Sequence, residues 1–192
     1  MISSASHELT DPDARDVVHA RQGDADAYAR IIRRHQVEIG SRMWRFTRDK
    51  MEHDELVQEV FVEAYLGLGR FRGEAPLGHW LARIATNVGY KFWKNRYRNL
   101  SYSSVPIEEW AEIAATDPED LDAARAADML HRLLDQLPPR DRLILTLRYV
   151  EDLSVEEAAA QTGWTQTMVK VQAWRARQKL RKLLEQAGIE VN

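Results

Sequence analysis

The 192-residue sequence contains no cysteine, which excludes a disulfide framework, a thiolate metal site and a cysteine nucleophile, although it assigns no compartment. It also lacks any apolar run near the roughly 18 to 20 residues that a membrane span needs. The first residues, MISSASHELTDPD, carry no basic-then-apolar signal pattern, so the expected compartment is the cytoplasm, without membrane insertion. Sustained period-two alternation of strand-forming residues is missing, and no sheet is expected. An excess of basic charge is missing too: the formal net charge is −3, which taken alone argues against a nucleic-acid partner.

What is present is a sorted charge distribution. Residues 1–98 hold 16 Lys/Arg against 14 Asp/Glu, residues 99–128 hold 1 against 8, and residues 129–192 hold 10 against 8. The acidity therefore sits in the middle. Between Glu74 and Glu108 the only charged residues are Arg83, Lys91, Lys94, Arg96 and Arg98. Between Glu157 and Glu185 they are Lys170, Arg175, Arg177, Lys179, Arg181 and Lys182. Two separate stretches are thus fit to face phosphate.

Apolar residues recur at three- and four-residue spacing, and 44% hydrophobic content suffices for one ordinary domain or two small ones. The expected fold class is all-α: two small helical domains joined by a flexible acidic linker. Asp24 is a candidate N-cap for a helix carrying Tyr28, Ile31, Ile32, His35 and Ile39, and a second helix is expected near Asp54 with Leu56, Val60, Phe61, Ala64 and Leu68 inward. Gly67, Gly69, Gly73 and Pro76 interrupt it. A long helix then restarts near Pro76 and carries Trp80, Leu81, Ile84, Ala85, Val88 and Phe92 inward up to Arg98. From Asn99 to about Pro118, two prolines, small polar residues and Glu108, Glu109 and Glu112 read as linker. The domains are expected over 11–98 and 128–187, with the linker over 99–127. Helices are expected over Leu121–Leu137, from Pro138-Pro139 through Val150, from Ser154, and from Thr165.

Ser154-Val155-Glu156-Glu157 has the form of a capping box, in which a hydroxyl and a carboxylate satisfy two otherwise unpaired backbone N–H groups. The helix it opens is short, because Thr162-Gly163 offers the positive φ of a sharp exit and Thr165 can cap the next helix. Small Ala159 and apolar Val169 stand where two steeply crossing helices need close approach and a shared core. This is a candidate helix-turn-helix, whose second helix would enter the major groove. Gln166, Thr167, Lys170, Val171, Trp174 and Arg175 share its outer side, with Arg177 beyond, and Met168, Val169, Ala173 and Ala176 are expected inward. An αα-hairpin with a solvated basic face is the alternative; the acid-free run favours DNA, since solvated faces usually mix signs.

With its surroundings, Leu137-Pro138-Pro139-Arg140-Asp141-Arg142 through Leu147-Arg148-Tyr149 to Val169-Lys170, Arg175-Ala176-Arg177 and Lys179-Leu180 resembles the fourth domain of a bacterial sigma factor. Asp54-Glu55-Leu56-Val57-Gln58-Glu59-Val60-Phe61, Arg70-Phe71-Arg72-Gly73-Glu74 and Trp80-Leu81-Ala82-Arg83-Ile84-Ala85-Thr86-Asn87 resemble the second domain of the extracytoplasmic-function (ECF) group of the sigma-70 family. The resemblance runs from about Asp16 to Glu185. It implies a subunit that binds core RNA polymerase, recognises −35 and −10 promoter elements and helps DNA opening. It further implies that Asp54, Glu55, Gln58, Glu59 and Val62 face the β′ clamp helices, and that exposed positions among Leu143, Leu147 and Tyr149 meet the β flap. Around the −10 element, opening requires a base to leave the stack and be held by stacking and a pocket. Arg70 to Pro76 matches the family's base-capturing loop, and Phe71, Arg72, Trp80, Arg83, Asn87, Lys91, Lys94 and Arg96 supply aromatic and cationic groups beside it; Tyr90, Phe92, Trp93, Tyr97 and Arg98 are interleaved. Some of these aromatics, Trp80 and Phe92 among them, belong equally well to the core. An anti-sigma partner is also implied.

A linker over 99–127 reaches at most roughly 100 Å extended, enough to span promoter elements separated by turns of about 34 Å. The sequence departs from the family's common Val-Lys-Ser-Arg-Leu at Val169-Lys170-Val171-Gln172-Ala173, which moves the expected readout towards apolar contact of Val171 and Trp174 with thymine methyls, leaving Lys170 and Arg175 for phosphate or guanine. Among other classes, an enzyme finds little support: His7, His19, His35, His53, His79 and His131 show no metal-ligand spacing, and no phosphate-cradling glycine loop is present. No metal or organic cofactor is implied. A helix-turn-helix regulator acting without polymerase is the remaining rival.

Overall fold

The computed structural model describes residues 11–100 and 130–186. The linker expectation, the start of the helix expected from Leu121 and residues beyond Gln186 lie outside them. The described residues are helical, with no strand among them. By contacts they divide into two units between Gly89 and Tyr90, inside a long helix.

In the first unit, α1 (Pro12–Arg21) starts where Asp11 accepts from the Asp13 N–H and Pro12 supplies the pre-set φ of a first helical residue. This helix was not expected, although the Asp-Pro pair was visible. Asp24 caps α2 (Ala25–Met43) as anticipated, accepting from Ala27 N–H. The third helix, α3 (Lys50–Gly67), begins four residues before the expected Asp54, because Asp49 caps it through Glu52 N–H and is itself held by Thr47 Oγ1. Asp54 is instead a second-turn residue paired with Lys50 at 2.9 Å. A 3₁₀ turn (Leu68–Arg70) and a loop lead to α4 (Leu77–Leu100).

Ile31, Ile39, Met43, Val60 and Leu81 are fully buried in this unit, each worth about 1.5–3 kcal/mol in transfer from water. Tyr28 packs edge-on against Tyr65, with centroids 5.0 Å apart, and its hydroxyl donates to Phe61 O; burial pushes its pKa up to about 12. The α1–α2 seam is ionic. Asp16, fully buried, pairs with Arg30 and Arg34, both at 2.7 Å, and Asp13 takes Arg34 at 2.8 Å and His35 at 2.9 Å. The Arg30 hydrogen bond, against the opposing effect of burial, holds the Asp16 carboxyl below the usual carboxylate range, with Arg34 assisting.

The second unit contains the last turns of α4 from Tyr90, helical residues 130–135, α5 (Pro139–Leu145), a π turn (Thr146–Val150), α6 (Val155–Thr162) and α7 (Gln166–Gln186). The helix expected through Val150 thus widens after Leu145, where Glu151 N–H reaches back to Thr146 O at 2.9 Å. Asp152 then takes φ +51 and Arg148 donates to Leu153 O, turning the chain towards α6. Leu143, Ile144, Leu147, Ala158, Val169 and Ala176 form the apolar centre. Trp93, rather than the expected Phe92, is fully buried: the guanidinium of Arg142 lies 3.8 Å from its ring centroid and is paired with Asp135. Burial brings the Arg142 pKa down to about 10 despite the nearby Asp135.

Candidate nucleic-acid interface

The helix-turn-helix is built by local chemistry. Ser154 Oγ accepts from Glu157 N–H at 3.1 Å, and the Glu157 carboxylate accepts from Ser154 N–H at 2.8 Å, completing the capping box. Gly163 adopts φ +73, a left-handed conformation in which a Cβ would be strained, and its N–H closes onto Ala159 O at 2.9 Å. Thr165 Oγ1 accepts from Met168 N–H at 3.2 Å and caps α7.

Along α7 Val169, Ala173 and Ala176 are buried, and Gln166, Thr167, Lys170, Val171, Trp174, Arg175 and Arg177 are exposed, as their spacing predicts. At about 100° per residue, Thr167, Val171 and Trp174 stand opposite the buried line, with Lys170 and Arg175 flanking them, while Gln166 and Arg177 sit nearer its edge. Met168 corrects the expectation: it is 41% exposed and shares the Arg175 side. Gln172 points inward. Its amide donates to the buried Asp141 carboxylate at 2.5 Å, and Lys179 reaches the other oxygen at 2.6 Å, so Gln172 ties α7 to α5 instead of facing outward. Arg140 lies 4.8 Å from the Trp164 ring centroid at the turn, a cation–π pair that spacing did not suggest.

On α4, Trp80, Arg83, Asn87, Lys91 and Lys94 recur every three or four residues and lie along one side; Trp80 is half-buried and the rest are exposed. Arg96 leaves this group, because nine residues of rotation after Asn87 bring it to the opposite side, where it lines a small cavity of about 10 Å³ with Trp93, Tyr97, Asp135 and Arg142. Ahead of α4, Phe71 packs on Trp80 with centroids 5.2 Å apart, and Arg70 and Arg72 are exposed. Phe71 and Trp80 therefore form one aromatic shelf at the start of the cationic side.

A third surface lies on α3. Leu56, Val60 and Phe61 are buried, while Asp54, Glu55, Gln58 and Val62 are exposed and Glu59 is half-buried. Tyr65 and Leu66, 50% and 67% exposed, continue this side beyond the motif that drew attention to it. In the second unit, Leu143 and Leu147 are core, and of the three flap candidates only Tyr149 is exposed. Among the described residues no cluster of His, Asp and Glu is placed to hold a metal, and no helix is long and apolar enough to cross a membrane.

Comparison with known proteins places the chain in a family. Residues 31–99 match the family described as Sigma-70 region 2, and residues 127–180 match Sigma-70, region 4. The RNA polymerase sigma-H factor of Pseudomonas aeruginosa is 33% identical over 178 residues, covering 88% of this chain and 92% of that protein. The chain is a sigma-70 family sigma factor of the ECF group. The ECF RNA polymerase sigma-E factor of Escherichia coli K12 is 28% identical over 183 residues, covering 91% of this chain and 94% of that one. Among solved structures, CnrH in complex with the cytosolic domain of CnrY is 26% identical with a TM-score of 0.57, covering 91% of this chain and 98% of that one. The Bartonella quintana sigma factor RpoE, solved with the anti-sigma factor NepR, shares the fold at 21% identity and a TM-score of 0.55, covering 82% and 96%. Within this sigma factor, the region 2 match contains the α3 surface and the α4 side, and the region 4 match contains the α5–α7 core and the exposed α7 side. α1 precedes both matches. The family consists of initiation factors rather than enzymes, and a regulator acting without polymerase is not favoured.

Proposed function

We propose that this sigma factor reads the −35 element through Thr167, Lys170, Val171, Trp174 and Arg175, with Gln166 and Arg177 towards the edge. It then stabilises an opened −10 element through Arg70, Phe71, Arg72, Trp80, Arg83, Asn87, Lys91 and Lys94. The carrying observation is that α4 and α7 each present a cationic, aromatic side opposite a buried apolar one. Cations contribute sequence-independent phosphate affinity, and aromatic shelves such as Phe71–Trp80 provide stacking for an extruded base, worth about 1–3 kcal/mol. Val171 and Trp174, with no hydrogen-bonding hydroxyl or guanidinium, suit thymine methyls. Arg96 is left out of the −10 group on its position.

In this reading the −10 and polymerase-binding domain spans 11–98, the acidic segment 99–127 tethers it, and the −35 domain spans 128–187. Asp54, Glu55, Gln58, Glu59 and Val62, extended by Tyr65 and Leu66, form the contact with the β′ clamp helices, and Tyr149 contributes to the β flap contact. The protein acts in the cytoplasm, has no catalytic step of its own and is restrained by an anti-sigma protein, the kind of partner with which the similar Bartonella quintana RpoE was solved. Reconstitution with core RNA polymerase on genomic DNA, followed by mapping of transcript ends, tests the whole reading. A stable complex with transcripts starting downstream of a shared sequence pair is expected; absence of both complex and transcripts would sink it.

A further inference from the structure

We infer that Arg21 is a positioning residue for −10 capture: from the last turn of α1 its guanidinium holds the two carbonyls that frame the start of the Phe71–Pro76 loop. The inference rests on the −10 reading above. Arg21 Nε donates to Leu68 O at 3.0 Å, and Arg21 Nη2 donates to Phe71 O, bonds that span 47 and 50 residues of sequence. Leu68 O also accepts Phe71 N–H at 3.2 Å, so one carbonyl is held by both the turn and α1.

The loop has few other anchors. Arg72, Gly73, Glu74, Ala75 and Pro76 are all exposed, and the bond within it is an Arg72–Glu74 pair at 3.7 Å between side chains that are both largely solvated. Its ends are set by Leu77, buried at the start of α4, by Pro76 O, which accepts from His79 N–H at 3.0 Å and Trp80 N–H at 3.4 Å, and by Phe71 resting on Trp80. The Phe71 ring could pivot on that shelf unless its carbonyl were fixed, and the direction of the Phe71 carbonyl sets where Arg72 emerges. A binding constellation must be held within about 0.5 Å to be productive. A guanidinium suits this task because its N–H groups diverge in a rigid plane and can bond two carbonyls at once, which an ammonium on a flexible stem does less well. The strut itself is anchored: α1 is bound to α2 through Asp16, Arg30 and Arg34. Thus α1, outside the family-matched residues, acts on a loop inside them.

The test uses full-length protein assembled with core RNA polymerase on a promoter located by transcript-end mapping, reading the rate at which −10 thymines become permanganate-reactive. R21A should slow that rate about threefold to tenfold, the scale of one to two exposed hydrogen bonds, while affinity for core polymerase and for a −35 duplex stays unchanged. R21K, which keeps the charge and loses the fork, should recover only part. Opening by R21A at the wild-type rate overturns the inference. Full recovery by R21K also overturns it, by assigning the effect to charge, and so does an equal loss in all three measurements, which would mark a general folding defect. If the wild-type holoenzyme transcribes but produces no reactive −10 thymines, the −10 reading fails and takes this inference with it.

Discussion

Asp141→Ala probes the tie between α5 and the DNA-facing helix. The carboxylate is 1% exposed and accepts from Gln172 at 2.5 Å and Lys179 at 2.6 Å. A neutral donor on a buried carboxylate contributes about 1.5–3 kcal/mol. Lys179 is 50% exposed, so solvent screens its share to about 1 kcal/mol or less. Alanine also relieves the cost of burying a charge, and both freed partners sit near enough to water to turn outward. The balance is a loss of about 2 kcal/mol, roughly thirtyfold in the folding equilibrium and about 10 °C in the melting of a unit this small. Calorimetry on the full chain, with Trp fluorescence as a second probe, reads the shift. Asp141→Asn retains an acceptor for Gln172 but turns an N–H towards Lys179, and should cost about half as much. A melting temperature for Asp141→Ala within about 2 °C of wild type would refute the assignment of Gln172 as a structural tie.

Val171→Ser restores a hydroxyl at the centre of the exposed α7 side and should change base preference within the −35 element in sites selected from random DNA; an unchanged preference refutes the apolar readout. Gly89→Ala would drive a Cβ into the Phe46 ring, an overpacking cost of about 1–3 kcal/mol that exceeds the roughly 1 kcal/mol gained in helix propensity. A lowered denaturation midpoint, partly restored by adding Phe46→Leu, is the expected result, and a raised midpoint would count against that close packing. Because the folded Asp16 carboxyl titrates below its ordinary value of 3.8, its contribution is complete above that value and is lost as pH falls through the lower, folded-state pKa. Urea melts of wild type and Asp16→Asn should therefore differ at pH 7 and converge in strong acid; the same gap at both pH values would exclude the linkage.

Several features were legible in the sequence because they are settled within one or two helical turns. The Asp24 cap, the Ser154–Glu157 capping box, the left-handed Gly163 and the burial of Val169, Ala173 and Ala176 depend on backbone groups three or four residues away, so spacing alone specifies them. The exposed sides of α4 and α7 follow from the same periodicity, which is why most candidate DNA-facing residues share a side as expected. What spacing could not decide were choices that depend on a distant partner. Gln172 turns in because Asp141, on another helix, offers it a buried acceptor. Trp93 is buried because Arg142 and Asp135 gather against that end of the helix. The hold of Arg21 on the loop at Phe71 belongs to the same class. A hydrogen bond across 50 residues leaves no periodic trace, and only the packed tertiary structure brings donor and acceptor together.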